Sequence, residues 1–452
     1  MRVKKGIYLI IVLIILLLGI PCFLLLYSWK TKTIKVRNDK RLPQVYLTGQ
    51  MDTLWDVYPN PADVEFKVEW NGSSSKEYKG TAEFQGGSTL WRPKNSYNIR
   101  LAEKLQLNSE WGAHKKYTLK ANWDDFSQAR NIVSGRIFGQ IVRSREKHDR
   151  LEKAPNGGVV DGFPIELYIN EEYYGLYTLN IPKSKWMFGM DEVGKEAILF
   201  ANEVRPASCK LEEPVKEDFS NGWKLKYCST ENTADGTQWV LDSFNEMIDF
   251  LNTADDDTFI ENIRKYTDVE RTIDAMLYTV FIDAFDVLVH NINWITYDGQ
   301  HWIPSPYDME VTWGNFLNEM NDPLVVNLTP QEMLFGELDE LLSSADEQTH
   351  DRMETYCWGN LLYRRVWQNF PVEIKERYYE LRKRELSLEN IENQFSIFID
   401  SIDKWYYAKE KVMWSDVDYH DSNDYEHIIA FARARADVLD RYFEGMQTGV
   451  SP

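Results

Sequence analysis

A run of 21 residues without a single charge, Ile7 to Tyr27 (IYLIIVLIILLLGIPCFLLLY), constrains the chain more than any other feature. As a helix, that length crosses a hydrocarbon core of about 30 Å. A cleaved signal would have a shorter apolar region and small residues before the cut, and Ser28-Trp29-Lys30 supplies none. Pro21 before Cys22 argues against lipidation. The run is therefore expected to be one uncleaved transmembrane helix. Arg2, Lys4 and Lys5 precede it, and Lys30, Lys32, Lys35, Arg37, Lys40 and Arg41 follow it. Counting positive charges would keep the following domain in the cytoplasm, whereas a short basic amino terminus before an apolar run has the form of an export signal. We expect export: residues 1-6 a short cytoplasmic tail, 7-27 the anchor, 28-45 a basic tether, and the rest extracytoplasmic on a single-pass membrane protein.

The 452 residues carry a net charge of −20, which argues against a phosphate-backbone binder, so no nucleic acid is expected as a partner. With 43% apolar and 27% charged residues, the remainder reads as globular. Sixteen Trp, 25 Tyr and 21 Phe fit a heavy core or a sugar- or protein-contacting surface equally well. Four Cys without a CxxC pair exclude a disulfide framework and a zinc ribbon, although an exported Cys209 and Cys228 are free to bridge.

From Val45 the chain reads as α+β. Asp63 to Trp70 and Ser96 to Leu101 alternate apolar and polar residues as half-buried strands do. A helix is predicted over Ser127 to Val142 with Ser127 as N-cap, and a hairpin over Pro164 to Leu179 turning at Asn170-Glu171-Glu172. The second half is mostly helical. Its predicted helices are Trp239 to Leu251, one opened toward Ile282 by a Thr267 to Glu270 capping box, Val372 to Arg384, Leu388 to Trp405, and Asp424 to Phe443. The expected layout is a strand-rich amino lobe at 46-235 and a helical carboxyl lobe at 236-446.

Asp286 and Asn291 have the D-x4-N spacing in which a kinase Asp orients an attacking hydroxyl and an Asn turns back to a metal ion. Asp257 and Asn262 share that spacing by chance, so spacing alone also fits a helix cap. Downstream, His301 to Tyr307 is a strand-like approach to Asp308, followed by Met309-Glu310-Val311-Thr312-Trp313-Gly314. A base, an Asn and a second Asp before a Gly follow the order that phosphoryl transfer requires. His290 reads as a packed or capping histidine. Phe84-Gln85-Gly86-Gly87-Ser88-Thr89, with Arg92 and Lys94 behind it, is either a phosphate cradle or an ordinary hairpin turn, and it is not a Walker A motif.

Together these segments resemble the spore-coat protein H (CotH) kinase family. The resemblance runs through Gln85 to Thr89, Pro93-Lys94-Asn95-Ser96-Tyr97-Asn98-Ile99-Arg100, Tyr117 to Asp125 leading to Arg130-Asn131, Leu167 to Asn170, and Tyr174 to Tyr177. It ends with Asp286, Asn291 and Pro306 to Gly314, similar to the family's PWDLDLTFG. The resemblance implies an atypical protein-kinase-like fold that uses ATP and Mg²⁺ or Mn²⁺ to phosphorylate Ser or Thr of exported proteins. It implies Asp286 as catalytic base, Asn291, Asp308 and Glu310 on the metal, and Gly86, Gly87, Ser88, Lys94, Arg100 and Lys120 around the nucleotide. Gln85 and Gly87 replace the family's Arg and Asn, Asn180 a common Glu, and Arg100 a common Lys. Those changes leave a second expectation, a degenerate surface or coat assembly protein that binds without turnover. A carbohydrate-binding surface protein is a third, resting on aromatic content alone.

Overall fold

Alternation hides one face of each early strand, and the strands satisfy both faces by curling the sheet shut. The computed structural model describes residues 41–70, 73–203, 206–316, 319–320, 326–337, 358–415 and 425–446. The expected tail, the anchor and residues 28–40 of the tether lie outside these residues. Among the described residues no helix is long and apolar enough to cross a membrane. Leu42 onward forms one compact unit.

Its first sheet contains β1 (Gln44–Gly49), β2 (Ala62–Trp70), β3 (Ser73–Ser74), β4 (Tyr78–Gln85), β5 (Ser96–Gln106), β6 (Ala113–Lys120), β7 (Gly162–Ile169) and β8 (Glu172–Asn180). Their order is β1-β7-β8-β6-β5-β4-β2-β3, and β1 also pairs with β2. That pairing closes a barrel, which removes the free edges an open sheet would expose. In β2, Ala62, Val64, Phe66 and Val68 are buried while Asp63 and Glu65 face out. The β7–β8 turn is one residue tighter than expected. Asn170 and Glu171 both have positive φ, as a two-residue primed turn demands, and Glu172 already belongs to β8.

The first long helix, α1 (Arg130–Arg143), begins three residues after the predicted Ser127. Gln128 has φ +61°, which no helix tolerates. Ser127 instead donates to Asp125, whose carboxylate accepts the Arg130 backbone N–H at 2.8 Å and pairs with its guanidinium. The carboxyl half holds α2 (Gln238–Thr253), α3 (Val269–Phe281), α4 (Leu361–Asn369), α5 (Pro371–Lys383), α6 (Leu388–Ile399), α7 (Lys404–Met413) and α8 (Tyr425–Gly445). The expected capping box is absent from α3: Asp268 caps it, and Thr267 donates to the Trp302 carbonyl. The predicted helix Leu388–Trp405 is two helices: the first ends at Ile399 with Asp400 as its C-cap, and Asp403 then caps α7 through the Trp405 N–H.

A second sheet, in the order β10-β9-β11-β12, is antiparallel throughout: β9 (Ala197–Ala201), β10 (Trp223–Cys228), β11 (Ile292–Thr296) and β12 (Ile303–Pro306). Two of its strands precede residue 235 and two follow it, so that position does not divide strands from helices. One face packs on α2, where Phe244 meets Trp294, Trp302 and Trp223 edge-on at 5.5, 5.0 and 5.1 Å. Such pairs add about 0.5–1.5 kcal/mol each beyond their burial. Cys209 and Cys228 are both free and buried, so the bridge considered from sequence is not formed.

Candidate active site

Two turns at the ends of second-sheet strands approach each other. The first follows α3: a 3₁₀ turn, Phe285–Val287, carries Asp286, and the chain then reverses at Asn291, whose φ is +54°. Asn is among the few residues that adopt this conformation at low cost. The Asn291 N–H bonds to the Ala201 carbonyl, pinning the turn to β9. Its side-chain amide donates to Asp286 Oδ2 at 2.9 Å, and His290 Nε2 lies 3.0 Å from Asp286 Oδ1. Both oxygens of Asp286 are therefore held in place, while about a quarter of the side chain stays exposed.

The second turn follows β12. The Tyr307 N–H donates to the Asn291 carbonyl at 2.9 Å, which locks it to the first. Asp308 comes next, also at positive φ (+59°). Lys120, at the end of β6, crosses from the barrel to Asp308 Oδ1 at 2.7 Å and Glu310 Oε1 at 3.4 Å. Burial alone would lower the Lys120 pKa, but the two carboxylates outweigh it and hold the ammonium above the usual lysine range. The same ion pair overcomes burial to keep Asp308 below the ordinary carboxylate range. Glu310 goes the other way. Burial, reinforced by Asp308, Asp124 and Asp125, pushes it up to about 8 despite Lys120.

Of the other predicted nucleotide contacts, none pairs with Asp286 or Asp308 among the described residues. The Lys94 ammonium is 2% exposed and is spent on Glu410 (2.8 Å) and the Leu176 and Ala121 carbonyls. Arg100 is exposed beside Lys116 on the barrel surface, four residues along β5 from Ser96, which is about 13 Å of strand. Gly86 and Gly87 are exposed at the end of β4 and lead into a 3₁₀ turn, Ser88–Trp91, rather than directly into a strand. The Ser88 side chain is outside the description.

The cluster also contains groups that sequence reasoning passed over. Asp124 follows β6, 4.0 Å from Arg92. Burial raises its pKa against Arg92 and Lys120, with Asp308 and Asp286 adding to the rise. Its only signal was the Asp-Asp pair in the turn after β6. Lys183, just beyond β8, belongs to no motif.

Among the described residues no group of three or more His, Cys, Asp or Glu side chains is placed to hold a metal ion. Mg²⁺, however, usually takes one or two carboxylates and completes its shell with phosphates and water. Asp308 and Glu310 are hard oxygen donors of that kind, and Glu310 Oε2 is buried without a hydrogen-bond partner. The residues fit such an ion.

A sequence model of the CotH kinase protein family matches residues 82–439. No curated protein matches the chain.

Proposed function

The chain belongs to the CotH kinase family, and we propose that it is a kinase-like phosphotransferase moving the γ-phosphoryl group of ATP to Ser or Thr of exported proteins, with Mg²⁺ or Mn²⁺ as cofactor. The observation that carries this reading is the Tyr307-to-Asn291 backbone bond, which holds the Asp286 turn and the Asp308 turn as one unit facing Lys120.

Asp286 is the base. His290 and Asn291 fix its carboxylate so that it can orient an acceptor hydroxyl and take its proton as the oxygen attacks phosphorus. Asp308 and Glu310 offer oxygens on the nucleotide side, and a divalent cation bound there would neutralise charge on the phosphates. Lys120 keeps those carboxylates from repelling one another in the free protein and supplies a cation within reach of phosphate oxygens. We extend the proposal to an atypical kinase-like fold, with the barrel as amino lobe, and to anchoring through residues 7–27 with the catalytic domain outside the membrane.

The full-length chain, given γ-labelled ATP with Mg²⁺ or Mn²⁺, should label itself or an exported acceptor protein on Ser or Thr. Absence of metal-dependent transfer to any protein sinks the kinase reading. One observation favours the second reading, a CotH-like surface assembly protein that binds without turnover: the Lys120 ammonium is already occupied by Asp308 and Glu310. That reading requires nucleotide or partner binding with no transfer in the same assay.

A further inference from the structure

Several lysines in this acidic chain sit on carboxylates, as Lys67, Lys76, Lys94, Lys147 and Lys185 do. Three beside the candidate active site do not. Among the described residues Lys183, Lys224 and Lys226 form no salt bridge.

They gather on one face of the second sheet. Lys224 lies directly across from Phe200 on the neighbouring strand, so both point to the same side. The Lys183 ammonium stands 3.2 Å from the centre of the Phe200 ring and 4.4 Å from that of Tyr307, the residue before Asp308. Lys226 lies 5.7 Å from the same Phe200 ring. Asn293, the other cross-strand neighbour of Phe200, is fully buried, and neither polar atom of its amide has a hydrogen-bond partner.

Like charges collected this way repel, and ring faces return only part of that cost. Burial, then the charge of Lys226, holds the Lys183 pKa well below the ordinary lysine value, with Asp308 opposing. An anion on this face would remove the repulsion. The Asp308 carboxylate lies close enough to act on the Lys183 charge, so a cation-binding oxygen and an anion-binding ammonium are neighbours.

We propose that Lys183, assisted by Lys224 and Lys226, forms an anion subsite that grips the phosphate chain of the nucleotide. The identity of the anion rests on the kinase reading, whereas the existence of the subsite does not.

The probe is inorganic tripolyphosphate, titrated calorimetrically into the full-length chain in mild detergent without metal, beside the variants Lys183→Ala, Lys183→Glu and the exposed pair Lys224→Glu/Lys226→Glu. Hydrogen bonds to charged groups are strong enough that Lys183→Glu should weaken binding by about tenfold or more, at an unchanged melting temperature. The exposed pair reports on the subsite even if a change at Lys183 disturbs folding, and it should weaken binding by roughly threefold or more. Equal tripolyphosphate affinity in wild type and the exposed pair, or no binding by wild type, overturns the proposal, including the case in which these lysines hold an acidic acceptor segment instead. Binding through Lys183 without any ATP turnover leaves the subsite standing and removes the kinase reading. Full transfer by Lys183→Glu at limiting ATP does the reverse.

Discussion

At the scale of single residues, the candidate site separates two aspartates by what holds them. Asp286 is gripped by neutral or weakly basic neighbours, His290 and Asn291, and Asp308 by the Lys120 ammonium. On the proposed roles, Asp286→Asn should cut turnover by roughly 10²- to 10⁴-fold and leave nucleotide affinity intact, because that side chain would serve the acceptor. Asp308→Asn should cut turnover by about 10²-fold or more and also weaken metal-dependent nucleotide binding, since it removes charge where phosphate charge is balanced. Asp257→Asn, on an exposed short helix with the same D-x4-N spacing, should alter neither. Single-turnover transfer and nucleotide titration check all three, and equal loss of binding in the two site variants would refute the division of labour. Local spacing made the Asp286–Asn291 pair legible. The Lys94–Glu410 bond was not legible, because the partners are 316 residues apart and no local pattern announces such a bond.

At the scale of elements, buried charges fasten helices to strands. The Lys94–Glu410 pair, 2% exposed on both sides, ties α7 to the barrel, and Glu410 also accepts the Leu176 N–H in β8. Gly175 is needed beside it, because a Cβ there would sit 2.6 Å from Glu410 Oε1 at a φ of +140°. Glu410→Gln should lower stability by about 3–5 kcal/mol by stranding a buried ammonium, and Lys94→Met/Glu410→Leu should recover most of that loss. Denaturant unfolding measures both. Past the end of α3, buried Asp283 faces Arg435 of α8 at 3.1 Å, and burial pushes its pKa up to about 7 against that guanidinium. The folded state thus holds a proton that the unfolded state has released between about pH 4 and pH 7, so stability falls as pH rises through that window. Thermal melts from pH 5 to pH 8 should show the fall in wild type and a flatter profile in Asp283→Asn. Identical profiles would mean that Asp283 is ionised throughout.

At the scale of the whole molecule, Leu42 onward is one compact unit. Residues 42–452 produced alone should keep the melting temperature of the full chain to within a few degrees. If the anchor and export proposals are right, protease added to intact cells should degrade this unit in the full-length protein. Complete protection until lysis would reverse the orientation.

Periodicity and composition were enough for an α+β chain, the half-buried alternation of strands such as β2, the helices near α2, α5 and α8, and the order in which Asp286, Asn291 and Asp308 occur. These are local properties: period 2 or 3.6 and short loops depend on neighbours in sequence. Short-range side-chain bonds that periodicity does not register decided that Ser127 is no cap, because Asp125 and Arg130 close that turn, and that the run from Leu388 ends at Ile399 before Asp403 caps α7. Tertiary structure alone decided which lysine meets Asp308. Lys120 and Lys94 are both basic residues near strand ends, and only the packing of α7 and of the Asp308 turn sends one to Glu410 and the other to the candidate site. Charge partners separated by hundreds of residues are chosen by the closed barrel and the desolvation that accompanies it, and these exist only after the chain has folded.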